Sequence, residues 1–418
     1  MKLTPVEQEM LDGKHGAAVR DAIAYQLEVG KFWGAERLVP VTNAHITGDI
    51  EVMGDGGLGH LEKTCAQKAH CSVPTSTNAR CVDFAHATAL GQDAGELGKE
   101  RKIIGFLKKL DVMTVNTCIN YQVLYQPHFR EHVAWGDTGT VIMANSVFGA
   151  RSNFEGGPSA LAAAITGRTP EYGFHLDCHR KGTVVVRLES ELRDFADWGA
   201  VGKIVGQKHP NYLTVPVFTG MKHPVVSDEL KHLGCSLASY GSMGMFHMVG
   251  VTPEAPTMEA ALGGNTPIDE IVITDADIER VYADYELGDR SANLVVFSAP
   301  QLSLYEMKTL SEQFAGRKVA PGSHVFVTTA GSVRRDSESL GYLKALEEAG
   351  ATVMEDVCFY ILQNLPAIRR ANGWTNLISN SAKIVNIIGS HGFNGILRRT
   401  RDCVEIACSG HIDGARKT

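Results

Sequence analysis

The pattern that most constrains the fold is a regular alternation of predicted strands and helices in the last third of the chain. Short apolar runs predict strands, and the stretches between them have helical spacing, one of them opening on a capping box of Ser303 with Glu306. Such an alternation predicts strands joined by crossover helices, which build a doubly wound parallel sheet. The predicted strands are residues 294–298, 325–329, 351–355 and 383–388, and the predicted helices begin near Ser303, Leu340 and Arg401. The fold class is therefore α/β, and because no G-x-G-x-x-G motif follows the first strand, a dinucleotide site is not predicted.

The length of the chain predicts more than one structural region. Its 418 residues exceed what a single core usually holds, and we divide it into an N-terminal region, residues 1–290, and a C-terminal region, residues 291–418. The net charge of -7 argues against nucleic acid or an anionic membrane as a partner, and no apolar run reaches the ~20 residues that span a bilayer. The first residues lack the apolar core of a signal peptide, so we expect a cytoplasmic protein with reduced cysteines.

A glycine-rich stretch near the middle of the chain predicts an anion-binding turn. Gly156 and Gly157 precede an alanine-rich run, and Pro158 suits the first turn of the helix that this run predicts. Glycines let backbone N–H groups approach a ligand, and a helix N-terminus attracts a carboxylate or a phosphate. Asn153 and Glu155 lie beside this turn, and neither is needed to fold a helix. By spacing alone, an ordinary turn before a packed helix is the somewhat simpler interpretation.

Two further segments carry candidate polar groups. Residues 41–60 form a polar stretch broken by glycines, which we interpret as loop-rich, with His45 and Asp55 as site candidates. For Asp55, a turn role is a strong alternative. Residues 172–180 alternate between apolar and polar side chains, which predicts a half-buried strand. The titratable groups that would share one face of this strand are His175, Asp177 and His179.

Three cysteines occupy positions that suit metal ligation. Cys118 lies in a predicted short strand and turn at residues 114–121, Cys358 follows a strand end, and Cys403 lies in the first turn of a helix. Three thiolates that converge from separate segments would suit an iron–sulfur cluster with one open iron, although ordinary burial also explains each cysteine. Other candidate ligands lie close together without zinc-finger spacing and leave open a zinc-binding structural or regulatory protein. They are Cys65, His70, Cys71 and Cys81, or the cluster at residues 175–179.

Together these motifs resemble the aconitase X family, catalytic large component. The central match is Asn153-Phe154-Glu155-Gly156-Gly157-Pro158-Ser159-Ala160-Leu161, then Thr166-Gly167-Arg168-Thr169-Pro170, then Tyr172-Gly173 with His175-Leu176-Asp177. Shorter matches are His45 with Gly48, Gly54-Asp55, Val73-Pro74-Thr75 with Asn78, Thr117-Cys118, Gly250-Val251-Thr252-Pro253-Glu254, Glu355-Asp356-Val357-Cys358 and Asp402-Cys403-Val404-Glu405. The resemblance covers nearly the whole chain. It implies an aconitase-like, multi-lobed α/β/α fold with doubly wound parallel sheets around a central cleft.

The resemblance also implies a chemistry. Members are hydro-lyases, and Cys118, Cys358 and Cys403 match the family's iron ligands, which implies an iron–sulfur cluster (2Fe-2S or 4Fe-4S) or a mononuclear iron. A small swivel domain supplies the serine base in the family, and since this chain shows no such domain, a separate small subunit is implied as its partner. The implied catalytic residues are Glu155, His175 and His45, and the implied substrate-binding residues are Asn153, Gly156, Gly157, Ser146, Asp55 and Arg168. An inactive aconitase-like binding subunit is a further alternative.

Two departures from the family pattern bear on the substrate. We expect Asp-Glu-Asn in many relatives where this chain has Asp177-Cys178-His179, and a basic residue where it has Phe154. Family members dehydrate either cis-3-hydroxy-L-proline or mevalonate 5-phosphate. Because Phe154 removes a possible phosphate contact, we predict cis-3-hydroxy-L-proline as the substrate, dehydrated to Δ1-pyrroline-2-carboxylate. Mevalonate 5-phosphate is the alternative.

Overall fold

The structure is a computed structural model that describes residues 1–285 and 292–412. The predicted boundary between residues 290 and 291 and the last six residues of the predicted C-terminal region lie outside the described residues. The α-helices are α1 (Pro5–Leu11), α2 (Ala17–Phe32), α3 (Ile50–Ala66), α4 (Ala87–Leu90), α5 (Ala94–Lys109), α6 (Asn120–Val123), α7 (Thr138–Ser146), α8 (Gly156–Thr166), α9 (Phe195–Lys208), α10 (Ser227–Gly241), α11 (Met258–Leu262), α12 (Asp275–Ala283), α13 (Leu304–Phe314), α14 (Gly331–Ser339), α15 (Tyr342–Ala349), α16 (Leu365–Ala371), α17 (Ala382–Ile387) and α18 (Thr400–Ser409). The β-strands are β1 (Leu38–Pro40), β2 (Ala44–Ile46), β3 (Thr75–Thr77), β4 (Ala134–Trp135), β5 (Arg168–Pro170), β6 (Val184–Leu188), β7 (Pro216–Thr219), β8 (His247–Met248), β9 (Asp269–Ile273), β10 (Leu294–Leu302), β11 (His324–Thr329), β12 (Ala351–Glu355), β13 (Asn376–Ser379) and β14 (Asn394–Leu397). Within the described ranges, no helix is long and apolar enough to cross a membrane.

Three parallel sheets organise the described residues, beside one antiparallel pair, β1 with β5. The strand orders are β3-β2-β4, β8-β7-β6-β9 and β12-β11-β10-β13-β14. Strand β10 is buried along its whole length, as expected for a central strand of a parallel sheet that is covered on both faces. The predicted α/β class with parallel sheets is confirmed.

The C-terminal alternation is confirmed, including its last helix α18, except for the predicted strand at residues 383–388. Strands β10, β11 and β12 contain the three predicted strands, and Ser303 with Glu306 forms the predicted capping box of α13. Residues 383–388, predicted as a strand, belong mainly to helix α17. The side chain of Ser381 accepts a hydrogen bond from the Ile384 N–H and caps this helix. A short apolar run has no periodicity that separates a strand from a buried helix, and β13 and β14 were not predicted.

Two further strand predictions are wrong because local turns replace extended backbone. Residues 172–180 form two 3₁₀ turns, Gly173–His175 and Asp177–His179. The His175 N–H donates to the Tyr172 carbonyl at 3.1 Å, so this segment satisfies its backbone locally instead of in a sheet. Residues 114–121 hold no named strand in the part of the chain that the structure describes.

The loop-rich segment predicted around Asp55 is wrong in its second half. Residues 50–66 form α3, although glycines occupy four of its positions. The helix is kinked at Gly54, whose φ of 61° lies in the left-handed region that glycine adopts without strain. The glycines therefore mark a kink within a helix, whereas the sequence pattern suggested an open loop.

The carboxyl edges of two parallel sheets meet inside the molecule. Asp137 follows β4 of the first sheet, and Cys358 and Lys383 follow β12 and β13 of the third sheet. A parallel bridge between Arg80 and Val357 joins the two edges. In α/β folds, such edges are where loops gather functional side chains, and the candidate site lies here.

Candidate active site

Two cysteines lie close together where the sheet edges meet. Cys118 is buried, and its Sγ accepts a hydrogen bond from the Gln301 N–H at 3.2 Å. The Gln301 Oε1 accepts in return from the Cys118 N–H at 3.2 Å and from the Thr117 hydroxyl at 2.7 Å. The Gln301 Nε2 also donates to the Val357 carbonyl at 3.1 Å, next to half-buried Cys358, so Gln301 joins the two cysteine segments. Burial raises the pKa of the Cys118 thiol, and negative charge on Asp137 and on Cys358 raises it further. We call Cys118 and Cys358 the thiol pair.

A buried lysine supplies positive charge to the thiol pair. The Lys383 side chain is 13% exposed, its Nζ donates to the Thr138 hydroxyl at 3.1 Å, and its Nζ lies 3.7 Å from Asp137 Oδ1. Burial opposes the charge of Lys383, but Asp137, Cys235 and the thiol pair outweigh burial and raise its pKa. The lysine charge in turn offsets part of the burial that raises the pKa of both paired thiols. Lys383 therefore favours the thiolate form, which is the form that binds metals.

The third predicted ligand, Cys403, has a hydrogen-bond partner of its own, and its convergence with the thiol pair stays a prediction. It is fully buried within α18 as part of the hydrophobic core, and its Sγ donates to the Arg398 carbonyl at 3.5 Å. After burial, the groups that raise its pKa are Asp194 and Asp402. Among the residues that the structure describes, no group of three His, Cys, Asp or Glu side chains is arranged to hold a metal ion.

Unsatisfied polar atoms accompany the thiol pair. Within the described ranges, His45 Nε2 and both amide atoms of Asn120 are buried without a hydrogen-bond partner. His45 Nδ1 bonds the Ser76 hydroxyl at 2.8 Å, and burial lowers the pKa of His45 to about 4, so the ring is neutral. Buried polar groups are normally paired, and thiolates with neutral imidazole are donors that iron accepts. By donor type, the two thiols suit an iron centre, whose presence stays a prediction.

A second cluster lies at the start of α8. Glu155 Oε1 accepts a hydrogen bond from the Thr169 hydroxyl at 3.0 Å and lies 3.7 Å from His175 Nε2. The Glu155 and His175 side chains are 1% and 0% exposed. On the far side of its ring, His175 Nδ1 lies 2.8 Å from His132 Nδ1. We call Glu155, His175 and His132 the Glu–His cluster.

Burial sets the charges of the Glu–His cluster. It raises the pKa of Glu155 to about 7, opposed by the Thr169 hydrogen bond. It lowers the pKa of His175 to about 3 and that of His132 to about 4, and the positive charges of Arg151 and Arg180 lower both further. Both imidazoles are therefore neutral near pH 7, and Glu155 is the group of this cluster that can give or take a proton there.

Three consecutive residues connect the thiol pair to the Glu–His cluster. The Trp135 carbonyl accepts from the Glu155 N–H at 3.0 Å, and Asp137 carries the contact with Lys383. Between them, a Cβ on Gly136 would lie 2.8 Å from the Gly156 carbonyl oxygen, so a side chain is excluded there. Because neighbouring Cα atoms are about 3.8 Å apart, the Cα atoms of residues 135 and 137 lie within roughly 7 Å. The two clusters form one candidate active site at the carboxyl end of β4.

Comparison with family models covers nearly the whole chain. Models described as aconitase X first domain, aconitase X second domain and aconitase X third domain match residues 1–178, 182–283 and 292–409. The chain belongs to the aconitase X family. The resemblance inferred from the sequence motifs is thereby confirmed.

Individual relatives of this aconitase X are dehydratases by name. The chain is 31% identical to the phosphomevalonate dehydratase large subunit of Thermococcus kodakarensis, covering 94% of this chain and 96% of that protein. It is 29% identical to the cis-3-hydroxy-L-proline dehydratase of Pseudomonas aeruginosa, covering 98% of this chain and 70% of that protein. The crystal structure of the holo form of Thermococcus kodakaraensis aconitase X superposes with a TM-score of 0.85 at 30% identity, covering 97% of this chain and 100% of that one. This aconitase X is an enzyme, a hydro-lyase.

Two predicted substrate-binding residues lie near the Glu–His cluster but have partners of their own. Asn153 Oδ1 accepts from the Phe174 N–H at 3.1 Å and from the Tyr212 hydroxyl at 2.6 Å. The Ser146 hydroxyl accepts from the Phe246 N–H at 2.9 Å. Both side chains therefore support the walls of this aconitase X site, and any substrate contact by them stays a prediction.

Arg168 and Asp55, also predicted to bind substrate, point to other parts of the protein. Arg168 pairs with Glu7 of α1 at 3.3 Å. Asp55 has a 76% exposed side chain and pairs with Lys99 of α5 at 2.8 Å. The structure does not bring either side chain to the thiol pair or to the Glu–His cluster.

Four residues of the site were missed by sequence reasoning. Lys383 was assigned to a strand. Asp137 is the N-cap of α7, and a capping role already accounts for an aspartate at that position in the sequence. Gln301 and His132 stand in no motif. The signal that could have found Lys383 and Asp137 is their position just after strand ends, which strand prediction in these segments did not supply.

The zinc-binding alternative has no assembled site in the described part of the chain. His70 pairs at the surface with Asp111 at 2.8 Å, and Cys65 Sγ donates to the Phe106 carbonyl at 3.4 Å. Cys81 is buried beside Glu100, with 3.9 Å between Sγ and Oε2. These candidate ligands have separate surroundings and separate partners.

The raised pKa of Glu155 predicts a stability change with pH that Glu155→Gln should abolish. The folded-state pKa of about 7 lies above the ordinary 4.5, so the unfolded chain releases this proton first as pH rises. The contribution of protonated Glu155 to stability is therefore complete below pH 4.5 and is lost as pH rises to 7. Relative to Glu155→Gln, the wild-type free energy of unfolding should fall by about 3 kcal/mol between pH 4.5 and 8. Urea unfolding of both proteins at each pH measures this difference, and parallel pH curves would contradict it.

Proposed function

We propose that this chain dehydrates a β-hydroxy acid, with an iron or iron–sulfur centre held by Cys118 and Cys358 as the Lewis acid. The observation that carries the proposal is the thiol pair beside Lys383, joined through residues 135–137 to the Glu–His cluster. A bound iron with an open coordination position would accept the departing hydroxyl and stabilise its charge. Aconitase X membership supports an iron centre of this kind.

Residues of the chain itself would deliver the proton and bind the substrate. Glu155 would hold the proton that the leaving hydroxyl takes, because a carboxyl whose pKa is about 7 is still half protonated at neutral pH. His175 Nε2 would support the Glu155 carboxylate once that proton has left. The first-turn N–H groups of α8, at Gly156 and Gly157, have no intrahelical acceptor and would bind the substrate carboxylate. His45 would offer its unpaired Nε2 to a polar group of the substrate or to the metal.

The charge of the site favours cis-3-hydroxy-L-proline as the substrate. Arg151 and Arg180, the guanidinium groups nearest the Glu–His cluster, are already paired with Asp177 and Glu254. Phe154 packs its ring against Tyr212, with 5.3 Å between ring centroids, and offers no charge. A dianionic phosphate requires an Arg or Lys fork, whereas an amino acid with one carboxylate does not.

Mevalonate 5-phosphate is the second candidate because of the relatives. The chain is 34% identical to the phosphomevalonate dehydratase large subunit of Methanothermobacter thermautotrophicus, covering 86% of this chain and 88% of that protein. This identity is slightly higher than the 29% shared with the hydroxyproline enzyme. The phosphomevalonate dehydratase relatives are named as large subunits, which also supports a small partner that would supply the serine base that takes the α-proton.

We expect the chain with its small partner and iron to turn over cis-3-hydroxy-L-proline to Δ1-pyrroline-2-carboxylate. Turnover of mevalonate 5-phosphate should be roughly a hundredfold lower in kcat/KM, because Arg151 and Arg180 are already paired with carboxylates and would not be free to bind the phosphate. The measurement is an anaerobic assay of both substrates with the co-expressed small subunit and with the chain alone, which should be inactive. Phe154→Arg is the matched variant and should reduce the difference in kcat/KM between the two substrates. A preference of the wild-type complex for the phosphorylated acid would reverse the choice of substrate.

A further inference from the structure

His132 contacts His175 on the side opposite Glu155. The two Nδ1 atoms are 2.8 Å apart, the ring planes differ by 11°, and the ring centroids are 5.1 Å apart. Nearly coplanar rings with facing Nδ1 atoms at this centroid distance lie end to end, so the hydrogen bond runs in the plane of both rings. His132 is half-buried, whereas His175 is fully buried, so the two rings extend from near the protein surface to Glu155.

The hydrogen bond requires the two rings to have matched tautomers. Since both imidazoles are neutral, one Nδ1 carries the shared proton and the other accepts it. When His132 donates, the proton of His175 must sit on Nε2, which faces Glu155 at 3.7 Å. The charged and titratable groups around the three side chains are Arg151, Arg180, Glu171, Tyr172 and Tyr212. The Arg151 guanidinium also donates to the His175 carbonyl at 2.7 Å and holds that backbone in place.

We propose that His132 is a positioning residue that fixes the tautomer of His175, so that His175 presents an Nε2–H to Glu155 as that carboxyl loses its proton. The proposal rests on the proposed function, in which Glu155 protonates the departing hydroxyl. The 3.7 Å separation is longer than a hydrogen bond, and catalytic contacts of this kind commonly tighten only in the substrate complex. His132 itself touches neither Glu155 nor the reacting atoms.

The kinetic test compares His132→Leu with His132→Asn in the iron-loaded complex with the small subunit. Leucine cannot donate to His175, and loss of one hydrogen bond to a charged carboxylate predicts a fall in kcat of roughly 10–100-fold with KM unchanged. The alkaline limb of the kcat profile should move to higher pH, because ionised Glu155 loses a stabilising donor. Asparagine places an amide near the position of Nδ1 and should restore most of kcat. Equal losses in both variants, or no loss in His132→Leu, would overturn the proposal.

A second measurement does not depend on turnover. ¹⁵N NMR of protein labelled at histidine reports the tautomer of each ring, and His175→Gln assigns the relevant signals. Near pH 5.5, where Glu155 is protonated and both imidazoles are neutral, wild type should show His175 protonated on Nε2 alone, and His132→Leu should show a mixture of tautomers. An unchanged tautomer in His132→Leu rules the proposal out even where neither substrate is turned over. Inactivity of the wild-type complex with the expected NMR pattern would instead refute only the proposed function.

Discussion

Serine in place of Cys118 or Cys358 is expected to remove most bound iron and to lower kcat/KM by at least about a hundredfold. Loss of a group that only supports a metal ligand already costs about 10–100-fold, and these thiols would be ligands themselves. Lys383 cannot compensate, because it stabilises thiolates without binding metal. Serine keeps the size of the side chain, so the fold should persist. The measurements are iron per chain, visible absorption, and activity with the small subunit.

Cys403→Ser is the variant that distinguishes an iron centre bound by two thiolates from one bound by three. Cys403 lies in the core of α18 with its Sγ bonded to the Arg398 carbonyl, so Cys403→Ser should keep its iron and most of its activity. Cys65→Ser, whose thiol donates to the Phe106 carbonyl, is the control outside the site. Loss of iron from Cys403→Ser at an unchanged melting temperature would show that three thiolates bind the centre, as the sequence resemblance implies.

Glu155→Gln is expected to lower kcat by about 10²–10⁴-fold while leaving KM nearly unchanged. Glutamine keeps the hydrogen bond with Thr169 but cannot deliver a proton to the departing hydroxyl. An interaction that acts only in the transition state lowers kcat and kcat/KM together, which is the signature to look for. The same variant should be the more stable protein at pH 8, where wild type carries a buried charge.

Glu100→Gln is the matched control for Glu155→Gln. Glu100 is also a buried carboxyl whose pKa is raised to about 7 by burial, and it accepts from the Ile50 N–H at 2.8 Å, outside the Glu–His cluster. Its replacement should change the pH dependence of stability in the same direction without lowering kcat. Equal loss of kcat in both variants would mean that Glu155 acts through the fold and not through the reaction.

Much of this fold could be predicted from short-range signals. The capping box at Ser303 forms as predicted, because a cap depends on residues three apart in sequence. Helix α8 has Pro158 in its first turn, as predicted, and it includes the two glycines that were predicted to precede it. The aconitase X motifs around Asn153 and Glu155 are equally local, which is why the family could be predicted from residues alone.

The sequence by itself determined the α/β class, the family and the identity of Glu155, His175, Cys118 and Cys358 as candidates. Only the tertiary structure decided which of these meet. Cys403 satisfied the same local rule as Cys358, and its Sγ bonds the Arg398 carbonyl within the buried cluster that also contains Cys118. Lys383 reaches the thiol pair because a helix, and not the predicted strand, follows β13. Whether the site residues converge depends on where each crossover connection returns the chain to its sheet and on the direction in which each side chain points. The burial of apolar helix and strand faces, far from the site, sets both of these.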